Sequence, residues 1–213
     1  TPRHLLQIHL AVLLFGLAGL FGKWIALPAT IIVLGRVFFA SLSIGLLMGL
    51  TGQSFRLKEK RDYGRLALLG GILAFHWVTF FQSIQVSTVA VGLLTFSTFP
   101  VFTAFLEPWF FRERWSGSDL LLAVVTFGGV ALVIPGFELD NAVTQGALWG
   151  VASGASFALL SILNRKYVQA YSSFTIAFYQ DAAAVLVLLP FLWWEAPRFS
   201  AADLALLVLL GVV

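Results

Sequence analysis

Apolar stretches too long for an ordinary water-facing element dominate this chain. Seven of them run from about Leu5 to Trp24, Thr30 to Leu50, Tyr63 to Ser83, Thr88 to Phe111, Ser118 to Pro135, Gly146 to Leu163 and Phe174 to Trp194. A helix needs roughly 20 mostly apolar residues to cross about 30 Å of hydrocarbon, where every backbone polar group must be bonded within the segment. Each stretch therefore predicts a membrane helix. An eighth begins near Ala202 and has run for only about 16 Å, half the hydrocarbon core, when it reaches Val213. It is expected to be the start of a further span. Composition points the same way: 60% of residues are hydrophobic and only 11% are charged, against roughly 25% charged in a soluble domain. There is too little charge to cover a water-facing surface, which disfavours a disordered chain and an ordinary soluble enzyme. The net charge of +3 is small, and nucleic acid is not an indicated partner. The absence of cysteine excludes a disulfide framework, a thiolate metal site and a cysteine nucleophile.

The loops carry a directional signal. With the N-terminus in the cytoplasm, the inside segments hold Arg3, then Arg56, Lys58, Lys60, Arg61 and Arg65, then Arg112 and Arg114, then Arg165 and Lys166, ten of the 13 basic residues. The outside segments hold only Lys23 and Arg198, and Arg36 lies within a span. Cytoplasmic loops of membrane proteins are enriched in Lys and Arg, so this alternation predicts a multi-pass protein with a cytoplasmic N-terminus. The outer loop Gly136–Gln145 is acidic, with Glu138 and Asp140. Ser118 and Asp119 suit a helix start, while Pro135-Gly136 and Ala196-Pro197 suit helix exits. The first span has no small-residue cleavage site, and similar spans keep following it, so it is not read as a signal peptide.

Two stretches about 143 residues apart are alike. Leu20-Phe-Gly-Lys23-Trp24 followed by Arg36 matches Ile162-Leu-Asn-Arg-Lys166-Tyr167 followed by Gln180 and Asp181. A cation and an aromatic close one span, and a polar residue enters the next. Five spans separate the two copies, and an odd number inverts the second copy in the membrane, a common plan in secondary transporters. The expected division is residues 1–135 as a first five-helix repeat and 146–213 as an incomplete second. Two repeats of that length need about 286 residues, so about 73 more are expected beyond Val213.

The segment Gly92-Leu-Leu-Thr-Phe-Ser-Thr-Phe-Pro100-Val-Phe-Thr-Ala-Phe-Leu-Glu107-Pro-Trp-Phe-Phe-Arg-Glu113-Arg, with Gly128-Gly129, Arg36 and His76-Trp77, resembles EamA-type members of the drug/metabolite transporter superfamily. The resemblance covers essentially the whole chain. It implies an all-α polytopic bundle of two inverted five-helix repeats, with ten spans expected and about seven and a half present here. It also implies transport of small organic metabolites, such as amino acid-like solutes, often outward, in a bacterial inner membrane. Glu107-Pro108 departs from the pattern, because many members are apolar there.

Ionisable groups at membrane depth are costly and are functional candidates by default. Arg36, roughly 10 Å into the second span, either attracts an anionic or carboxylate-bearing solute or clamps a carbonyl or carboxylate. His76 stands near mid-depth, with Trp77, Phe80 and Gln82 on nearby helical positions. It is either a titrating proton coupler or a neutral group in a packed interface, and the aromatics either line a site for a flat solute or fill the core. Asp181 either carries a proton or balances a cation. Thr95, Ser153 and Ser156 complete the candidate cavity set. Glu107 either lines the inner vestibule or meets Arg112 and Arg114, the second being preferred; Glu113 reads as a loop residue that caps or pairs. Lys23 reads as an interface residue whose ammonium snorkels. The tandem Gly146, Gly150 and Gly154 face reads first as a helix-packing surface, and Trp24, Trp193 and Trp194 as interface anchors. No metal site or cofactor is indicated. A membrane enzyme is the runner-up class, yet no HExxH or GxSG motif is present, and a channel would want a filter that one chain does not display. No GxxxxGK[ST] loop occurs either, so nucleotide-driven pumping would need another subunit.

Overall fold

The computed structural model describes residues 2–112, 114, 116–134 and 138–212. Glu113, the Pro135-Gly136 exit and the side chain of Arg3 lie outside the described residues. Among these residues the chain is all α-helical: α1 (Pro2–Trp24), α2 (Ala29–Leu50), α3 (Lys60–Val86), α4 (Val89–Phe96), α5 (Phe99–Phe111), α6 (Gly117–Val133), α7 (Ala142–Asn164), α8 (Ser173–Leu188), α9 (Phe191–Glu195) and α10 (Ala201–Val212). Four stretches, Ala29–Leu50, Lys60–Val86, Val89–Phe111 and Ala142–Gln169, are long and apolar enough to cross a bilayer, and α6, α8 and α10 are shorter apolar helices.

Short polar side chains start these helices. Thr88, Asn141 and Ser172 each accept a hydrogen bond from a first-turn N–H of α4, α7 and α8, which satisfies a donor that has no intrahelical partner. Helix α6 opens on Ser116 rather than Ser118, and the carboxylate of Asp119 returns a bond to the Ser116 N–H. Ser200 and Asp203 reciprocate in the same way at the head of α10. Two prolines break spans that hydropathy draws as continuous. Pro100 has no N–H for the Phe96 carbonyl, so the fourth span divides into α4 and α5 across Ser97 and Thr98. Pro190 separates α8 from α9.

Helix α3 is the hub, packed on α7, α8, α4, α2 and α1. Its neighbour α7 approaches closely along the glycine face. A Cβ on Gly146 would stand 2.1 Å from Ser87 Oγ, one on Gly150 1.8 Å from Thr95 Oγ1, and one on Gly154 2.9 Å from Thr98 Oγ1. Only glycine fits there, and the Ser83 hydroxyl donates across the seam to the Gly146 carbonyl at 2.6 Å. The main core joins α1, α2, α3, α8 and α10 through residues such as Phe21, Ile32, Val37, Phe81, Ile84 and Leu207. Outward faces are apolar too: Leu120, Leu121, Val124, Val125 and Leu132 of α6 are all exposed. That surface suits lipid, not water.

The loops sort to two ends. At one end the Lys23 ammonium donates to the carbonyls of Gln85 and Ser87 at the close of α3, so Lys23 caps a neighbouring helix. The Ala26 N–H donates to Asp203 at 3.2 Å, and the Thr30 hydroxyl donates to Glu195. At the other end, which carries the basic loops, Tyr171 donates to Asp62 at 2.7 Å and accepts from the Lys58 N–H. Trp24, Trp193 and Trp194 are exposed towards the first end.

Candidate functional site

A cavity of about 470 Å³ opens inside the bundle, lined by Gly16, His76, Trp77, Phe80, Leu93, Phe96, Phe99 and Phe157. The wall is built by helical spacing. His76 and Phe80 are one turn apart on α3, and Trp77 lies three residues before Phe80, so all three can face one hollow. Helix α1 contributes at Gly16, where a Cβ would meet nothing within 4 Å, and the α4–α5 break turns Phe96 and Phe99 inward as a stacked pair with ring centres 5.4 Å apart. Phe157 closes the far side, 5.1 Å from His76 and 5.1 Å from Phe99 between ring centres. Beside these five phenyl and indole rings, the polar groups of the described lining side chains are the His76 imidazole and the Trp77 indole N–H.

His76 is buried, 1% exposed. Its Nδ1 lies 3.1 Å from the Ser153 carbonyl and 2.9 Å from the Ser153 hydroxyl, which reaches back to the His76 carbonyl at 3.1 Å. Its Nε2 has no hydrogen-bond partner. Behind Trp77 sits Arg36. The guanidinium carbon lies 3.7 Å from the indole centre, within the range of a cation–π contact. Its Nε is buried without a hydrogen-bond partner. Asp181 is close enough for its charge to act on Arg36, but among the described residues no ion pair within 4.0 Å joins them. Arg36 is therefore held by an aromatic face, with a carboxylate near but not touching.

The remaining candidates divide. Ser153 fixes His76. Thr95 is sealed beneath Gly150, its hydroxyl donating to the Val91 carbonyl of its own helix. Ser156 lines a separate groove with Leu68, Gly71, Ile72 and Phe75, and Gln82, six residues beyond His76, points off the cavity face. Helices that are apolar on every side give no sequence clue to rotation, so nothing local marks Leu93, Phe96, Phe99 and Phe157 as cavity residues. One signal existed: Phe157 stands a full turn after Ser153.

At the basic end Glu107 pairs with Arg165 at 3.5 Å. Arg165, not the expected Arg112 or Arg114, is thus its ion-pair partner among the described residues. Helix α5 ends at Phe111 and Arg112 takes a left-handed φ of 58°, so the chain turns away before either arginine comes round to Glu107. The Arg165 guanidinium also lies over Phe111, 4.4 Å from its centre. Glu107 and Arg165 rim a second hollow of about 390 Å³ that includes Asn164 and, on its inner side, Phe157. Phe157 is thus the wall shared by the hollow and the aromatic cavity. No group of three or more His, Asp or Glu residues that could hold a metal ion occurs among the described residues.

The model of the EamA-like transporter family matches residues 3–134 and 144–213. An uncharacterized transporter, YxxF, of Bacillus subtilis is 28% identical over 196 residues, 90% of this chain and 62% of that protein. A protein named S-adenosylmethionine uptake transporter from Rickettsia conorii is 28% identical over 178 residues, 83% of this chain and 58% of that protein. The chain thus spans about three-fifths of the length of the relatives it matches. No solved structure matches it.

Proposed function

The chain belongs to the EamA-like transporter family, and from that membership we propose that it serves a secondary carrier which moves a small organic metabolite by alternating access. It is an integral membrane protein of a transporter family, not an enzyme. The observation that carries the proposal is the aromatic cavity within the bundle, walled by α1, α3, α4, α5 and α7. Its volume lies within the roughly 300–1,000 Å³ usual for small-molecule sites, and apolar walls with few polar groups are their common pattern. His76, Trp77 and Phe80 are the solute contacts in this reading, and Arg36, Ser153 and Asp181 position them. Thr95, Gln82 and Ser156 stand outside it.

Residues 1–135 and 146–213 form the two inverted repeats of the proposal. Packing supports it: α2 lies on α10 as α3 lies on α8, and α2 crosses α8 between them, the pattern expected of a pseudo-two-fold axis. The N-terminus is assigned to the cytoplasm of a bacterial inner membrane, on the basic loops. The Rickettsia relatives named for S-adenosylmethionine uptake make a flat, nucleoside-bearing cation one solute to try, and amino acid-like solutes the other. Outward transport is the direction the family resemblance implies.

Flux of S-adenosylmethionine and of tryptophan in proteoliposomes, in both directions and with and without a pH gradient, tests the reading. A Cβ at Gly16 meets nothing within 4 Å and Gly16 lines the cavity, so Gly16→Phe, which adds a ring at that wall, should abolish saturable flux while thermal stability is kept. Saturable flux that survives Gly16→Phe overturns this site. Flux raised by a pH gradient marks proton coupling, the role this proposal gives to Asp181.

A further inference from the structure

We infer that His76 reads a hydrogen-bond donor on the solute, through an Nε2 kept bare by Ser153. The class of solute is a planar, mainly apolar molecule that carries one N–H or O–H. The inference rests on the reading of the aromatic cavity as the solute site.

The tautomer follows from heavy-atom geometry. The Ser153 carbonyl can only accept, and it lies 3.1 Å from Nδ1. A deprotonated Nδ1 there would set two lone pairs against each other, so Nδ1 carries the proton. The Ser153 hydroxyl then donates to the His76 carbonyl at 3.1 Å, and every polar atom on that edge is satisfied. A neutral imidazole has one ring proton. Nε2 is left as an acceptor, buried and with no protein partner. A buried acceptor without a donor is costly, and such groups in native proteins have a reason to exist. Around it stand Trp77, Phe96 and Phe157, with ring centres 5.0, 5.4 and 5.1 Å from the imidazole. Among the described wall residues the other N–H belongs to Trp77, the next residue on α3, and it makes no bond to Nε2. The donor must come with the solute, and the ring faces favour a flat body beside it. A site built to bond one donor rejects the isostere that lacks it, because the buried acceptor is then stranded.

Indole and 1-methylindole differ at that one group and serve as probes. Binding to the purified protein should favour indole by about tenfold or more. In His76→Phe, which keeps a flat ring but cannot accept, the preference should vanish while 1-methylindole still binds. Equal affinities in the unaltered protein overturn the inference, as does failure of both probes to bind. A preference that persists in His76→Phe is steric and overturns it too. Should that variant not fold, ¹⁵N shifts of the ring decide: the chain has three histidines, so His4→Gln with His9→Gln leaves one imidazole, whose two nitrogens are assigned separately. Nε2 is expected in the unprotonated range, and a protonated Nε2 overturns the inference. The outcomes separate from those of flux. Discrimination without transport leaves the inference standing and sinks the carrier; transport without discrimination does the reverse.

Discussion

The guanidinium of Arg36 lies 3.7 Å from the centre of the Trp77 indole, and Trp77 is in turn a wall of the aromatic cavity. One ring thus links the deep cation of α2 to the candidate solute site on α3. Asp181 of α8 acts on the same cation from a distance, so three helices meet on one charge.

Arg36 and Asp181 should behave as a coupled pair. Arg36→Met and Asp181→Asn each leave a charge at membrane depth without its counterpart, and each should lower stability in detergent. The double variant should lose less than the sum of the two, by about 1 kcal/mol or more, the scale seen for residues in one network. Thermal unfolding of the four proteins measures it, and strict additivity would dissociate the two groups. Arg36→Lys keeps the charge but not the planar face, and should cost about 1 kcal/mol through the lost stacking.

Close approach at the glycine seam should make Gly150→Ala severe. Its Cβ would stand 1.8 Å from Thr95 Oγ1 and 2.8 Å from Thr95 Cβ, and overpacking of this kind costs typically about 1–3 kcal/mol, occasionally more. Thr95→Ala should rescue part of the loss by removing the nearer atom. Gly16→Ala, in open space, should change stability little. Unfolding midpoints that rank Gly16→Ala with Gly150→Ala would contradict the packing.

The pair Glu107–Arg165 is half-exposed, with side-chain exposures of 38% and 57%. An ion pair of that kind is worth about 0–1 kcal/mol, so Glu107→Gln should be nearly neutral for stability, and the residual effect should fade in high salt. A loss well beyond that range would mean that the basic-end hollow is drier than its exposure indicates.

Topology can be read chemically, since the chain has no native cysteine. Single cysteines at Lys60 and Arg165 should react with an impermeant maleimide from the cytoplasmic side, and one at Glu138 from the opposite side. Labelling of Lys60→Cys and Glu138→Cys from one side would break the alternating path through the membrane.

How much of this was legible beforehand depends on what a window of sequence can encode. Hydropathy depends only on which residues a stretch contains, so the helical class, the spans and the sorting of basic loops to one end follow from Leu, Val, Phe and the positions of Arg and Lys alone. The tandem glycines, spaced one turn apart, likewise announce a close helix contact. Rotation, tilt and breakage belong to the tertiary structure. Helices α3 and α7 are apolar almost all round in lipid, where no wet face orients them, so nothing local says that His76 and Phe80 line a cavity while Gln82 does not. The same holds for Ser153, spent on His76, and for Ser156, which faces another groove. Glu107 found Arg165, 58 residues away in the chain, because α5 and α7 run side by side at the basic end. Trp77 acquired Arg36 on one face only because α2 packs against α3. Composition chose the solvent and the secondary structure; the packing of one helix on another chose which polar atoms meet and left His76 Nε2 and Arg36 Nε bare.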